Sequence, residues 1–330
     1  MELILTNKSC NISGNNIYVE VIVLKNLAKK FLISLFVLFG VSILTFTMGR
    51  LAPGNPVETL LSSNPNPSSE DIKIAEDYLK INEPIYVQYI SWLKRICKGD
   101  FGISYKTGLK VFEEVRIRFP NTMKLTFSSF VAMLLIAFPL GILSALYKNS
   151  ILDFLVKIFN IMAISVPSFC IGILLMIVFG VKLRLLPTMG NDGFRSLILP
   201  SLSIGIGAGS GLCRLIRTQI LNTVEKEHVK AAYVFGVSRK KIILNNILKN
   251  SMPPIVTNMG LMIGGMLGGS AIIETLFSWP GLGSYLISSI YDRDYPVIQM
   301  YAIVMAVIYM ICNTLIDIIN YILVPYTEGE

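Results

Sequence analysis

Residues 31–48 read FLISLFVLFGVSILTFTM, a run without a single charge, fenced by Lys30 and Arg50. Apolar residues occupy every face of a helix built on this run, so it has no polar side to turn to water. At 1.5 Å per residue it rises about 27 Å, close to the hydrocarbon thickness of a bilayer. Five more runs have the same character: 125–147, 158–181, 196–213, 250–273 and 295–316. Each reaches the length of about 18 residues that a membrane-crossing helix needs. The 196–213 run is the richest in Gly and Ser, residues that suit close helix packing. The expected fold is an all-α membrane protein with six transmembrane helices.

Composition agrees. Of 330 residues, 53% are hydrophobic and only 15% charged, well below the quarter usual in soluble domains. The net charge of +8 fits positive loops held in the cytoplasm rather than nucleic-acid binding, for which there is no soluble domain. Five cysteines lack CxxC spacing, and His228 is the single histidine, so neither a disulfide framework nor a metal site is expected. Met252, Met259, Met262 and Met266 are read as packing residues. There is no G-x-x-x-x-G-K-[ST], no H-E-x-x-H and no G-x-S-x-G, and hence no catalytic residue. Glu274 and Asp317 stand at run ends, so a proton route deep in the bilayer has little support. Active transport by this chain would draw energy from another subunit.

Basic residues set an expected orientation. Lys25, Lys29 and Lys30 precede the first run, Lys148 and Lys157 follow the second, and Arg214, Arg217, Lys226, Lys230, Arg239, Lys240, Lys241 and Lys249 follow the fourth. This places both termini and the 214–249 loop in the cytoplasm. Residues 1–24 lack the basic start of a cleaved signal and are expected to be a poorly ordered leader before a 25–330 transmembrane domain. The outer loop, 51–120, is expected to form a small helical cap. Ser69 is a candidate N-cap with Glu70 and Asp71 in the first turn, and Pro84 a candidate first helical residue. Ile85, Tyr89, Trp92, Leu93 and Ile96 then recur at helical spacing. The polar span residues Ser165, Ser168, Ser201, Ser210, Asn258 and Asn313 are read as helix-packing groups, and no substrate-binding residue is assigned.

The 228–255 segment, HVKAAYVFGVSRKKIILNNILKNSMPPI, is too long for a mere connection. Its first part favours a short helix with small Ala231 and Ala232. Gly236 is placed to end that helix in a left-handed turn, and Ser238 to cap a second one. Ile242, Ile243, Asn246 and Ile247 share a face of the second. On these residues alone, a rigid element that receives a push from a cytoplasmic partner and an interfacial helix on anionic lipid are equally good readings.

The segment resembles the signature of ABC importer permeases, EAA followed after three residues by Gly. Ala231, Ala232 and Gly236 match, Lys230 stands in the place of the Glu, and Lys249 replaces a later Pro. The variation is similar to that of the oligopeptide, dipeptide and nickel importer branch, in which Leu248, Lys249 and Asn250 are followed by Pro253 and Pro254. RLAPGNP (50–56), EPIYVQYISWLKRICKGDFGISY (83–105), SVPSF (165–169), LLPTMG (185–190) and ETLFSWPGLGSYLISSIYDRDYPVIQ (274–299) resemble the same branch in order.

The resemblance implies a type I importer permease fold, not an enzyme. It also implies a second homologous permease subunit, two cytoplasmic ATPases that carry ATP and Mg, an extracellular substrate-binding protein, and no cofactor or metal on this chain. Lys230, Ala231, Ala232, Gly236, Val237 and Arg239 would form the ATPase contact. Among the branch's cargoes, nickel or a metal chelate is the closer match and a di- or oligopeptide the alternative. Outside the family, an ion-gradient-driven secondary transporter and a membrane scaffold are the rival classes.

Overall fold

A computed structural model describes residues 8–51, 57, 61 and 66–323, with side chains from 29 to 319. Residues 1–7 of the expected leader, 52–56 of the RLAPGNP motif and 324–330 lie outside it. Among the described residues the chain is helical, with one isolated antiparallel bridge between Ile103 and Lys110.

The first helix, α1, is Lys8–Leu51 and takes in residues 8–24. Two cap helices follow, α2 (Ser69–Leu79) and α3 (Ile85–Cys97). The long α4 (Val111–Leu146) comes next, then α5 (Ile151–Ser165) and α6 (Ser168–Lys182), α7 (Phe194–Val224) and the short α8 (Glu227–Val234). The chain continues through α9 (Arg239–Leu276), with one π-helical stretch at Ile242–Leu248. It ends with α10 (Leu282–Tyr291) and α11 (Tyr295–Leu323). Five of these helices carry spans: Lys29–Leu51, Val111–Leu146, Phe194–Val224, Arg239–Leu276 and Tyr295–Ile319.

The 158–181 run is the exception. Instead of one straight span it is broken between α5 and α6, which meet at 105°. The cause is local. Pro167 is the N-cap of α6, and Val166 before it is extended at φ −95° and ψ 126°, as the ring of a following proline demands. Periodicity alone reads through such a break because both halves are apolar.

Other boundaries shift for equally local reasons. Ser68, not Ser69, caps α2: its Oγ accepts from the Asp71 amide at 3.1 Å while Asp71 Oδ2 accepts from the Ser68 amide at 2.9 Å. This capping box uses Asp where Glu is usual. Pro84 is the N-cap residue of α3, one position before the helix. Of the three Arg residues expected in the 214–249 loop, Arg214 and Arg217 lie within α7.

The core forms where α4 and α7 meet. Leu125, Met133, Leu199, Leu212 and Ile216 are at most 1% exposed there, and glycines set how close the two helices come. A Cβ on Gly205 would lie 2.7 Å from that of Ala132 and 3.2 Å from the Met133 amide nitrogen, and one on Gly141 would lie 2.9 Å from Ile216 Cβ. Small residues substitute for a hydrophobic driving force that lipid does not supply. The apolar sides of α1 and α5 instead face outward, with Phe36 at 77% and Ile151 at 79% exposure.

The cap formed by α2 and α3 is stitched to the bundle by aromatic and polar contacts. Phe46 of α1 meets Tyr89 and Trp92 at ring distances of 5.3 and 5.5 Å, and Trp92 Nε1 donates to Gln299 Oε1 of α11 at 3.1 Å. Buried Asp294 accepts from Ser104 Oγ at 2.5 Å and from the Tyr105 amide at 3.1 Å.

The α4–α7 contact makes a direct prediction. Gly205→Val forces the two helices apart and should lower stability by about 1–3 kcal/mol. This would be seen as a lower unfolding temperature in detergent, while Gly40→Val, at an open position, should leave that temperature unchanged.

Candidate functional site: the α8 coupling element

The segment between α7 and α9 folds as the sequence implies in its first half and differently in its second. Helix α8 ends in a Schellman turn. The Val237 amide donates to Ala232 O at 3.1 Å and the Gly236 amide to Tyr233 O at 3.1 Å, with Gly236 at φ +72°. No atom lies within 4 Å of a Cβ built on Gly236. Glycine is required there by the backbone conformation, not by crowding.

The expected second helix is not a separate element. Ser238 sits at its N-cap with φ −61° and ψ 140°, but its side chain makes no capping bond. From Arg239 the chain runs without interruption into the membrane as α9. The Ile242–Leu248 stretch has π geometry, a widened turn that recurs at functional sites.

Burial divides α8 cleanly. Val229 is fully buried and Ala232 is 9% exposed, and both join the core cluster with Ile216, Ile220, Ile242 and Ile247. On the other side Lys230, Ala231, Gly236 and Arg239 are exposed, and Val234 and Phe235 are each 84% exposed. Val237 is half-buried and packs on the core. Of the six residues expected at the contact, Lys230, Ala231, Gly236 and Arg239 thus face solvent, while Ala232 and Val237 anchor the element.

Sequence reasoning missed Val234 and Phe235. Their signal was two consecutive large apolar residues at the end of an otherwise polar helix, beside a turn that offers no partner to bury them.

Two polar contacts lie beside α8, one joining α9 to α7 and the other joining α8 to α9. Ser251 Oγ of α9 meets Thr223 Oγ1 of α7 at 2.9 Å and donates to Ile247 O at 2.8 Å. The His228 Nε2 and Asn250 Nδ2 atoms are 3.3 Å apart.

Deeper, Asp153 joins α4, α5 and α7. Its carboxylate is fully buried and takes Arg217 Nε at 2.8 Å and Nη2 at 3.0 Å, Lys157 Nζ at 2.9 Å, Ser144 Oγ at 2.6 Å and the Asn149 amide at 3.0 Å. A bidentate guanidinium on a fully hydrogen-bonded carboxylate is the geometry in which a buried charge is tolerated.

A separate cavity of about 260 Å³ lies between α6, α7 and α9, lined by Ser168, Gly207, Met262, Gly265, Met266 and Gly269 among others. Of the polar span residues, Ser168 alone of those named reaches it, whereas Ser201 and Ser210 are buried and their hydroxyls have no partner. Met266 is 3% exposed, and Met252, Met259 and Met262 pack against the same core, as expected of packing residues.

Comparison with known proteins gives this geometry a context. Residues 137–328 match the family described as binding-protein-dependent transport system inner membrane component, and residues 23–126 match its N-terminal companion. The chain is 34% identical over 282 residues to the glutathione transport system permease protein GsiC of Escherichia coli K12, covering 86% of this chain and 92% of that protein. Its likeness to GsiC of Salmonella typhimurium is 35% over 279 residues, 84% and 90% of the two chains. Among solved structures, the MetNI methionine ABC transporter in an inward-facing form matches with a TM-score of 0.54 at 17% identity, over 64% of this chain and 96% of that one. An amino acid ABC transporter solved with histidines matches with a TM-score of 0.50 at 18% identity, over 63% and 93%.

Asp153→Ala leaves Arg217 and Lys157 without their counter-charge and should destabilise the folded chain by about 3–5 kcal/mol. Thermal unfolding in detergent checks this. A loss as small as that of an exposed pair such as Lys106–Asp292 would show that the hub carries little.

Proposed function

This chain belongs to the family of binding-protein-dependent transport system inner membrane components, and we propose that it forms one half of an ATP-driven import pathway whose energy enters through α8. It is a multi-pass transport subunit, not an enzyme. A second permease subunit completes the pathway, and two ATPases that carry ATP and Mg dock on the cytoplasmic side. A binding protein delivers cargo to the outer cap, and this chain itself holds no cofactor.

The observation that carries the reading is the two-sidedness of α8. Val229 and Ala232 are locked into the bundle core while Val234 and Phe235 stand 84% exposed beside the Gly236 turn. Two large apolar side chains at such exposure on a basic segment suit a protein groove. A push on α8 reaches α9 through the Gly236 turn and α7 through Ser251 and Thr223. The surface then comprises Lys230, Ala231, Tyr233, Val234, Phe235 and Arg239, with Ala232, Gly236 and Val237 holding its shape. Both termini lie in the cytoplasm on this reading, in line with the excess of Lys and Arg around α8.

For cargo, the glutathione permease relatives favour a small peptide over nickel or a metal chelate. The glycine-lined cavity between α6, α7 and α9 is a suitable wall for such a pathway, because small side chains leave room between the helices and its lining carries no fixed charge.

Reconstitution with the two ATPases, the second permease and the binding protein tests both levels. Uptake of glutathione or a dipeptide should require ATP, survive collapse of ion gradients, and exceed Ni²⁺ uptake by at least about tenfold. Gly236→Val should leave the chain in the membrane but uncouple hydrolysis from uptake, because a β-branched residue at this φ costs about 1–2 kcal/mol. Normal uptake by that variant would remove α8 from the mechanism.

A further inference from the structure

Where α3 meets α1 and α11, the cap encloses two adjoining cavities of about 50 Å³ each. Both are lined by Trp92, Arg95, Tyr105 and Gln299, and Arg50 lines the first. These polar side chains are all partly exposed, so the site is reachable from water.

Among the described residues the two guanidiniums find carbonyl and aromatic partners. Arg50 Nη2 donates to Leu79 O at 2.9 Å and Arg95 Nη1 to Tyr78 O at 3.2 Å, both carbonyls in the last turn of α2. Arg95 also lies over the Tyr78 ring at 4.2 Å and Arg50 over the Phe46 ring at 5.6 Å. Each guanidinium has five N–H donors, and among the described residues neither forms an ion pair with a carboxylate. Asp100 lines only the second cavity, where it accepts from the Gly102 amide at 3.1 Å, and no carboxylate is among the described residues that line the first, which Arg50 and Arg95 share. Tyr105 supplies no counter-charge either. Burial pushes its phenol up to about 12, so it stays neutral. Two half-buried like charges facing one cavity are costly unless an anion joins them.

We propose that this cavity binds a carboxylate group presented to the outer cap. Planar guanidiniums match a carboxylate better than a spherical anion. A cavity of about 50 Å³ holds roughly three waters at 10–15 Å³ each in the same measure, which is room for a carboxylate but not for a whole peptide. The ligand therefore enters by one end only. The chemistry is shared by the C-terminus of a peptide cargo and by an Asp or Glu side chain on a delivering protein. The outward orientation rests on the importer reading; carboxylate binding does not.

The chain has two tryptophans, of which Trp92 lines the cavity and Trp279 is 1% exposed, so intrinsic fluorescence reports on the site. The purified full chain in nanodiscs is titrated with sodium acetate, against sodium chloride at matched ionic strength. Acetate alone should give a saturable change that disappears in Trp92→Phe. It should weaken by about tenfold or more in Arg50→Gln and Arg95→Gln, with Arg95→Lys falling in between.

Tighter binding of N-acetylglycylglycine than of acetate, lost in its amide, assigns the carboxylate to a peptide. Binding no tighter than acetate assigns it to a side chain of a delivering protein. A change that is not saturable, or midpoints unmoved in both Gln variants, overturns the proposal. A tenfold tightening in Glu58→Gln also overturns it, by making this chain's own Glu58 the occupant. Failure of the importer reading would appear in uptake and leave the acetate titration untouched.

Discussion

The ion pair between Asp153 and Arg217 is the constraint around which the α8 end of the molecule is organised. A carboxylate buried near the end of an apolar helix is costly unless its charge is met and its lone pairs filled. Here one guanidinium meets it twice, an ammonium meets it once, and Ser144 and the Asn149 amide supply further donors. The result fixes the end of α4, the start of α5 and the last turns of α7 relative to one another. Helix α8 leaves α7 just beyond this point, and its buried face rests on Ile216 and Ile220 of the same helix. A force applied at α8 therefore meets a braced end, not a loose loop.

The opposite end is held by different chemistry. Glu274 at the end of α9 is fully buried and accepts from Thr122 Oγ1 at 2.8 Å, Ser270 Oγ at 3.3 Å and the Ser284 amide at 2.9 Å. All three donors are neutral. Thr122 in turn accepts from the Leu282 amide at 2.8 Å, and Trp279 Nε1 donates to Asn121 O at 3.0 Å. The 274–284 turn is thus sewn to α4 near Pro120, where the proline leaves a backbone position without an N–H. A carboxylate at a helix N-terminus, as Glu274 is for α10, is stabilised by the amides it faces. One end of the molecule is braced by a multidentate ion pair and the other by a hydrogen-bonded turn. Between them α4 and α7 pack closely through glycine.

Most of the architecture was legible in the sequence because lipid imposes so simple a rule. Apolar runs fenced by charge gave the α1, α4, α7, α9 and α11 spans, since backbone groups within a bilayer must be paired internally. Helix α8 and the turn at Gly236 were legible too, through the one residue type that accepts φ +72° readily. The break at Val166–Pro167 was not, because hydropathy is blind to direction. Nor were the Asp153 hub and the exposure of Phe235, which depend on contacts between residues far apart in sequence: Arg217 is 64 positions from Asp153. The preference for nickel rested on short matched segments, whereas the relatives matched over 86% and 84% of the chain are glutathione permeases. Cargo choice lies in pathway detail that motif matches do not resolve.

The proposed contact between the exposed face of α8 and an ATPase is open to experiment. Cysteine cross-linking measures this most directly. A Phe235→Cys variant, in a background lacking the native cysteines, is compared with Tyr291→Cys, a position 85% exposed at the far end of α10. Both are cross-linked in the assembled transporter. A cross-link from position 235 to the ATPase, with a yield that changes on ATP binding, is expected, and none from position 291. A cross-link to the ATPase from position 291, or none from position 235 in an assembly that hydrolyses ATP and imports cargo, would contradict it.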